Sequence, residues 1–376
     1  MLKKILIFAV TYLMFAYQWS AIGQEVTDSL QQKGFVEKVM DIVTIERPHS
    51  TISFYPIIDY DQEAGLALGF MNVITLDDTV SNGNSPYSRP TTLISSFSYS
   101  TKNELDLDTE LIRYTKSGWG IFATGMVYRF PAAYYGTGKP SSNISTYTLN
   151  QYGVIGGFLK GISKKLFVGL AYELSFVDQK NITGELLSPE VEGYGGGSIV
   201  GLGTEIRFES RDDILYPTEG RLWKVNYRQY WGAYQYGQFA LDLRDYYKIV
   251  NKENVIGIQA FWSFVVGDAP FYKLPSLGGS RRLRSIGNSA QFIDNQVFWL
   301  QTEYRRHIAG RFGAAAFVGV GNTVADWDTP YFKEVEYVYG LGARFRLLPK
   351  EQLNFRIDFG LGNNRTALFL TVREAF

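Results

Sequence analysis

Three arginines fall within four residues, at Arg281, Arg282 and Arg284, behind a glycine pair at Gly278 and Gly279. An alternating run from Val297 to Tyr304 follows them and reads as a strand. A guanidinium is a planar fork of donors that can grip a carboxylate with two parallel hydrogen bonds, and it stays charged in a protein. Three of them on a glycine-kinked loop suit a polar interior better than an exposed tip. Other chemistry is sparse. There is no cysteine, which excludes thiol catalysis and thiolate metal sites. His49 and His307 are the only histidines, and neither stands beside a nucleophile motif. Gly195, Gly196 and Gly197 lack the lysine and helix pattern of a phosphate loop. Asp212, Asp213, Pro217, Thr218 and Gly220 read as a tight turn, because the oxygen-ligand periodicity of a calcium loop is missing. The expectation is no enzyme, no cofactor and no metal.

The elements around these residues are strands. The chain holds 26 Tyr, 26 Phe and 38 Gly, and its 37 basic and 37 acidic residues cancel. Zero net charge gives no argument for nucleic acid as a partner. After the first residues, no apolar run is long enough to span a membrane as a helix. Sixteen runs of strand character follow one another from Ile52 to Phe376, and several alternate cleanly. Leu353, Phe355, Ile357 and Phe359 oppose Asn354, Arg356 and Asp358. Trp223, Val225 and Tyr227 oppose Lys224, Asn226 and Arg228, and Leu105 and Leu107 oppose Asp106, Asp108 and Glu110. An arginine or lysine on the lipid face costs roughly 2–4 kcal/mol at the bilayer midplane, so the charged faces must point inward. The pattern predicts an all-β fold, a transmembrane β-barrel of about sixteen antiparallel strands. The arginine loop then falls between strands 11 and 12 and folds into the lumen. Long polar stretches at Tyr134 to Ser145 and Asp178 to Glu192 follow odd-numbered strands, as expected if loops face outward and turns face the periplasm. Asp77 to Pro90 is a long exception after the second strand.

The expected organisation has three parts. Residues 1–23 read as a signal peptide: Lys3 and Lys4, an apolar core, then the small residues Ala21 and Gly23 before Gln24. Residues 24–50 form a short periplasmic lead in which Leu30, Phe35, Val39, Ile42 and Val43 could share a helical face. Residues 51–376 form the barrel, placing the protein in the bacterial outer membrane.

The stretch Leu274 to Arg306 resembles the sixth extracellular loop and following strand of the BamA/TamA family of outer-membrane barrels, also called the bacterial surface antigen family. The matching residues are Leu277-Gly278-Gly279, Leu283-Arg284-Ser285-Ile286, Asp294-Asn295 and Glu303-Tyr304-Arg305. Phe208 to Gly220 is similar to the family's Asp-x-Arg-Asp…Pro-Thr-x-Gly turn, and Phe317 to Asn322 to one of its strands. The chain departs from the family pattern at Ser285 and Ile286, which replace a Gly-aromatic pair, and at Gly319, which replaces an aspartate. It also has no room for POTRA domains. The resemblance implies that Arg284 enters the lumen and binds an acidic group on the wall. With no carboxylate at position 319, Glu303 becomes the expected partner, on one face with Val297, Trp299, Gln301 and Arg305. It also implies a separable seam between the first and last strands, where Pro56 cannot donate to the ladder and Phe376 closes the chain.

By that resemblance the barrel takes part in translocation or membrane insertion of polypeptide or lipid. Its expected partners are outer-membrane lipid, an unfolded outer-membrane protein or lipid substrate, and a periplasmic partner chain. The charged lumen face suits a passive diffusion pore for small solutes equally well, and the long loops suit adhesion.

Overall fold

The computed structural model describes residues 44–61, 65–76, 90–115, 117–249, 254–328, 334–348 and 353–376. The expected signal peptide, most of the lead with its helical face, and most of Asp77 to Pro90 lie outside these residues. The described end of the lead is a short strand, β1 (Thr44–Arg47), and a turn, not a helix.

Sixteen wall strands follow and pair antiparallel in chain order. The first five are β2 (Ser50–Asp61), β3 (Gly65–Leu76), β4 (Thr91–Ser100), β5 (Leu105–Tyr114) and β6 (Trp119–Tyr134). Then come β7 (Ser145–Gly161), β8 (Leu166–Thr183), β9 (Gly196–Glu209), β10 (Gly220–Gly232) and β11 (Tyr236–Lys248). The last six are β12 (Asn254–Gly267), β13 (Gln296–Ala309), β14 (Phe312–Val324), β15 (Glu336–Leu348), β16 (Leu353–Gly362) and β17 (Arg365–Val372). A pairing of β17 with β2 closes the barrel.

Alternation decides which side each residue takes. Leu170, Leu174 and Phe176 of β8, Tyr337, Tyr339 and Leu341 of β15, and Ile357 and Phe359 of β16 lie on the outer face, where lipid would cover them. Glu173, Glu303, Arg305, Arg344, Arg356 and Asp358 are buried on the inner face. The outward face is apolar because hydrocarbon offers its side chains nothing else.

Three boundaries beside the long loops differ from the sequence reading. The strands before the two long loops run further than their apolar stretches: β6 reaches Tyr134 and β8 reaches Thr183, with Pro131 opposite Thr148 and Thr146 opposite Thr183. Beyond the bilayer, a ladder satisfies its backbone regardless of hydropathy, so polar residues there pair as well as apolar ones. β9 starts at Gly196 instead of Gly193, because Gly193, Gly195 and Gly196 adopt positive φ of 102°, 78° and 93°.

Candidate functional site

The loop between β12 and β13 is built to hold one arginine still. Gly279 takes a left-handed φ of 109°, and the Leu283 N–H donates to the Leu277 carbonyl at 3.2 Å. These contacts fold the tip back on itself and bring Leu277, Leu283 and Ile286 into one fully buried cluster with Trp299, Phe317 and Val338. The wall is hollowed to receive it. A Cβ at Gly319 would lie 2.9 Å from the Leu283 side chain, and one at Gly360 would lie 2.0 Å from the Arg284 carbonyl oxygen. Gly278 has no room for a Cβ because Ile286 packs over it.

Arg284 is fully buried. Its Nη1 donates to Glu303 Oε2 at 2.5 Å and to Asp358 Oδ2 at 2.8 Å, and its guanidinium sits 3.5 Å from the Phe317 ring centroid. Three more arginines join. Arg344 bridges Asp358 at 2.6 Å, Glu374 at 2.9 Å and Glu303 at 3.2 Å. Arg305 donates to Glu303 Oε1 at 2.8 Å and to the Phe376 carbonyl at 3.0 Å. Arg356 pairs with Asp358 and donates to the Ser280 carbonyl of the loop at 2.7 Å. Ser285 donates its hydroxyl to the Tyr337 carbonyl at 3.2 Å. Arg284 Nε and Nη2 and Arg356 Nε are buried without an acceptor, so the carboxylates carry the compensation for these buried charges, and losing one such partner costs about 3–5 kcal/mol. The structure thus brings Gly278, Gly279, Leu283, Arg284, Ser285 and Glu303 together. Sequence reading missed Asp358, which takes the Arg284 contact that Gly319 cannot offer, and it missed Arg344, Arg356 and Glu374. Asp358 and Arg356 were visible as charges on the polar face of their strand; that they meet the loop depends on barrel closure.

The two seam residues lie apart. Pro56 faces outward opposite Phe70 of β3, four residues from the one seam position paired among the described residues, Tyr60 with Leu370. Phe376 is not in the seam at all. β17 ends at Val372, Arg373 turns with φ 74°, and the last residues enter the barrel. There Phe376 packs with Tyr246 at 6.4 Å, and Glu374 is held by Arg344 and by Asn354 at 2.7 Å. An extended strand cannot place the neighbouring charges Arg373 and Glu374 both inward, so one would meet lipid; the turn removes that cost.

At the end bearing the short turns, Asp212 accepts from Thr218 N–H at 2.9 Å, from the Thr218 hydroxyl and from Glu219 N–H at 3.1 Å. Burial pushes its carboxyl up, but the hydrogen bonds from Thr218 and Glu219 together outweigh this and hold it below the usual range. At the other end Tyr134, Tyr147, Leu187, Phe271 and Ile293 form an apolar cap over the strand extensions. Between the arginine loop tip and the last residues lies a cavity of about 830 Å³.

A closed sixteen-stranded transmembrane barrel with an arginine loop tied to its wall is the class of molecule these features define. Residues 69–366 match the Omp85 superfamily domain, and the chain belongs to that superfamily. It is a BamA/TamA-type barrel and a bacterial outer-membrane protein. Its fold is similar to that of BamA from Haemophilus ducreyi lacking POTRA domains 1–3, with a TM-score of 0.59 at 14% identity over 87% of this chain and 70% of that one. It is also similar to CdiB from Acinetobacter baumannii, with a TM-score of 0.52 at 11% identity over 87% of this chain and 60% of that one. No curated protein matches the sequence.

Proposed function

We propose that this barrel inserts or translocates polypeptide across or into the outer membrane by parting the β17–β2 seam, with the arginine loop plugging the lumen. One observation carries the reading: among the described residues β17 meets β2 at a single register position, whereas β16–β17 and β4–β5 pair at eight positions and β2–β3 at twelve. Separating a ladder costs its hydrogen bonds, and in lipid an unsatisfied backbone group costs several kcal/mol. The weakest junction is the one that opens first and offers strand edges to an incoming chain. Membership of the superfamily and the folds shared with BamA and CdiB support the same reading. Outer-membrane lipid and an unfolded polypeptide are the partners this mechanism requires, and it uses no catalytic residue.

The test exploits the absence of native cysteine. Tyr60→Cys and Leu370→Cys place two thiols at the paired position. Cells depending on this double variant should lose outer-membrane proteins or lipids under oxidation and recover them under reductant. Full function with the seam oxidised would overturn the proposal.

A further inference from the structure

The cavity beneath the loop tip holds more positive charge than its own carboxylates neutralise. Eight cationic and six acidic side chains line it, whereas the whole chain is balanced. Most of the acids are taken. Glu205, Glu209 and Asp242 each clamp an arginine two positions along their own chain, at 2.6, 2.7 and 2.6 Å. Glu110 pairs with Arg373 at 3.1 Å, and Glu374 is turned to Arg344. Four lining cations stand outside these pairs: Lys224, Arg228, Arg281 and Arg282.

Among the described residues none of these four cations makes an ion pair. Arg228 donates to the Asn226 amide oxygen at 3.2 Å, and its Nε is buried without an acceptor. Arg282 reaches only the Ser276 hydroxyl and the Trp299 ring, at 5.6 Å from the centroid. Lys224 and Arg281 make no side-chain hydrogen bond; Arg281 feels Asp108 and Glu110 of β5 across the space without touching Asp108. A chamber with low-dielectric walls focuses such a field onto whatever enters. A single carboxylate brings one charge and two oxygens. A phosphate brings up to two charges and three acceptor oxygens, and guanidiniums grip it through paired hydrogen bonds. The volume also falls within the roughly 300–1,000 Å³ of ordinary ligand sites.

We propose that this chamber is a binding site for a phosphate group, free or on a lipid headgroup, held by Lys224, Arg228, Arg281 and Arg282. The site does not depend on the seam reading: a barrel locked at Tyr60 and Leu370 would still hold it.

The test is calorimetric titration of the full chain in a non-ionic detergent with tripolyphosphate and, separately, with dihexanoyl phosphatidate. Tripolyphosphate should bind saturably at one site. The Lys224→Gln, Arg281→Gln double variant should weaken it at least roughly tenfold, as expected when two charge-assisted contacts are lost. Arg221→Gln, on the outward face of the same strand and paired with Asp245, should leave it unchanged. Tighter binding of phosphatidate would assign the site to a headgroup, and binding of tripolyphosphate alone to a soluble anion. Absence of saturable heat with either probe from a barrel that still shows heat-modifiable migration would overturn the proposal. So would equal weakening by Arg221→Gln, which would make the binding diffuse surface attraction. If the double variant fails to fold, Arg281→Gln alone decides, because that side chain is exposed within the chamber.

Discussion

The two halves of the barrel interior are built on opposite principles. From the arginine loop through β13, β15 and β16 to the residues after β17, four arginines and three carboxylates interlock, all at least 93% buried. From β4 to β5 the interior is half-buried and lightly bonded: Ser96 to Asp108 at 2.7 Å, Thr109 to Ser95 at 3.1 Å, Asp106 with an unpaired buried oxygen, and one ion pair, Glu110 with Arg373 at 3.1 Å, reaching the residues after β17. The sparse half ends at β2, which meets β17 at one position. The dense half reaches β17 through eight positions of pairing and through Glu374 beyond it. Paired charge is concentrated between β13 and the chain end, while most of the β5 carboxylates lack such a partner. A barrel equally cross-linked all round would gain stability and lose the difference between its junctions.

The largest effect should come from unbalancing the dense half. Asp358→Ala leaves Arg284, Arg344 and Arg356 buried with one partner fewer each, and should cost about 3–5 kcal/mol of unfolding free energy. Asp108→Ala, in the sparse half, removes one half-buried hydrogen bond and should cost about 1 kcal/mol. Urea unfolding followed by tryptophan fluorescence in detergent separates the two. Similar costs would erase the asymmetry.

Much of this arrangement could be read from the sequence because barrel strands carry a period of two. The polar face of Arg356 and Asp358 follows from spacing alone, and the inward place of Glu303 follows from its shared face together with the family resemblance. What could not be read was which strands face one another across the lumen. Glu303 and Asp358 are 55 positions apart in sequence, yet both hold Arg284. That meeting is fixed by closure and by strand stagger, which no local pattern encodes. The inward turn at Arg373 is a different case. Two adjacent charges in a supposed strand were on view, and the rule that both cannot face the lumen was enough to end it at Val372. The long-loop strands were cut short because hydropathy marks the membrane, not the ladder.

A smaller effect tests the fit between loop and wall. Gly360→Ala puts a Cβ against the Arg284 carbonyl, backbone against backbone, and should cost about 1–3 kcal/mol as the loop is pushed off β16. Gly125→Ala on β6 meets nothing within 4 Å and should lie within about 0.5 kcal/mol of the parent. If both are neutral, the loop rests on the wall without being shaped to it. The same unfolding assay reads both.

The smallest effect lies at the turn between β9 and β10, and its sign follows from Asp212. Folding holds this carboxyl below its usual value near 3.9, so the unfolded chain binds its proton more readily than the folded one. Its contribution is therefore complete above the unfolded pKa and is lost as pH falls through the folded one. Solvent reaches the carboxylate and screens it, which limits the contribution to about 1 kcal/mol or less. Asp212→Asn keeps an acceptor for the Thr218 and Glu219 amides but removes the charge beside Lys248, whose Nζ lies 3.8 Å away. The variant should be slightly less stable than the parent at pH 7, and the gap should close only as pH falls through the folded carboxyl's own value, which lies below the usual one. A gap between them that stays constant through that value would place the effect in the shape of the turn instead of its charge. The turn would then add nothing electrostatic to the dense half of the barrel that its charge network does not already supply.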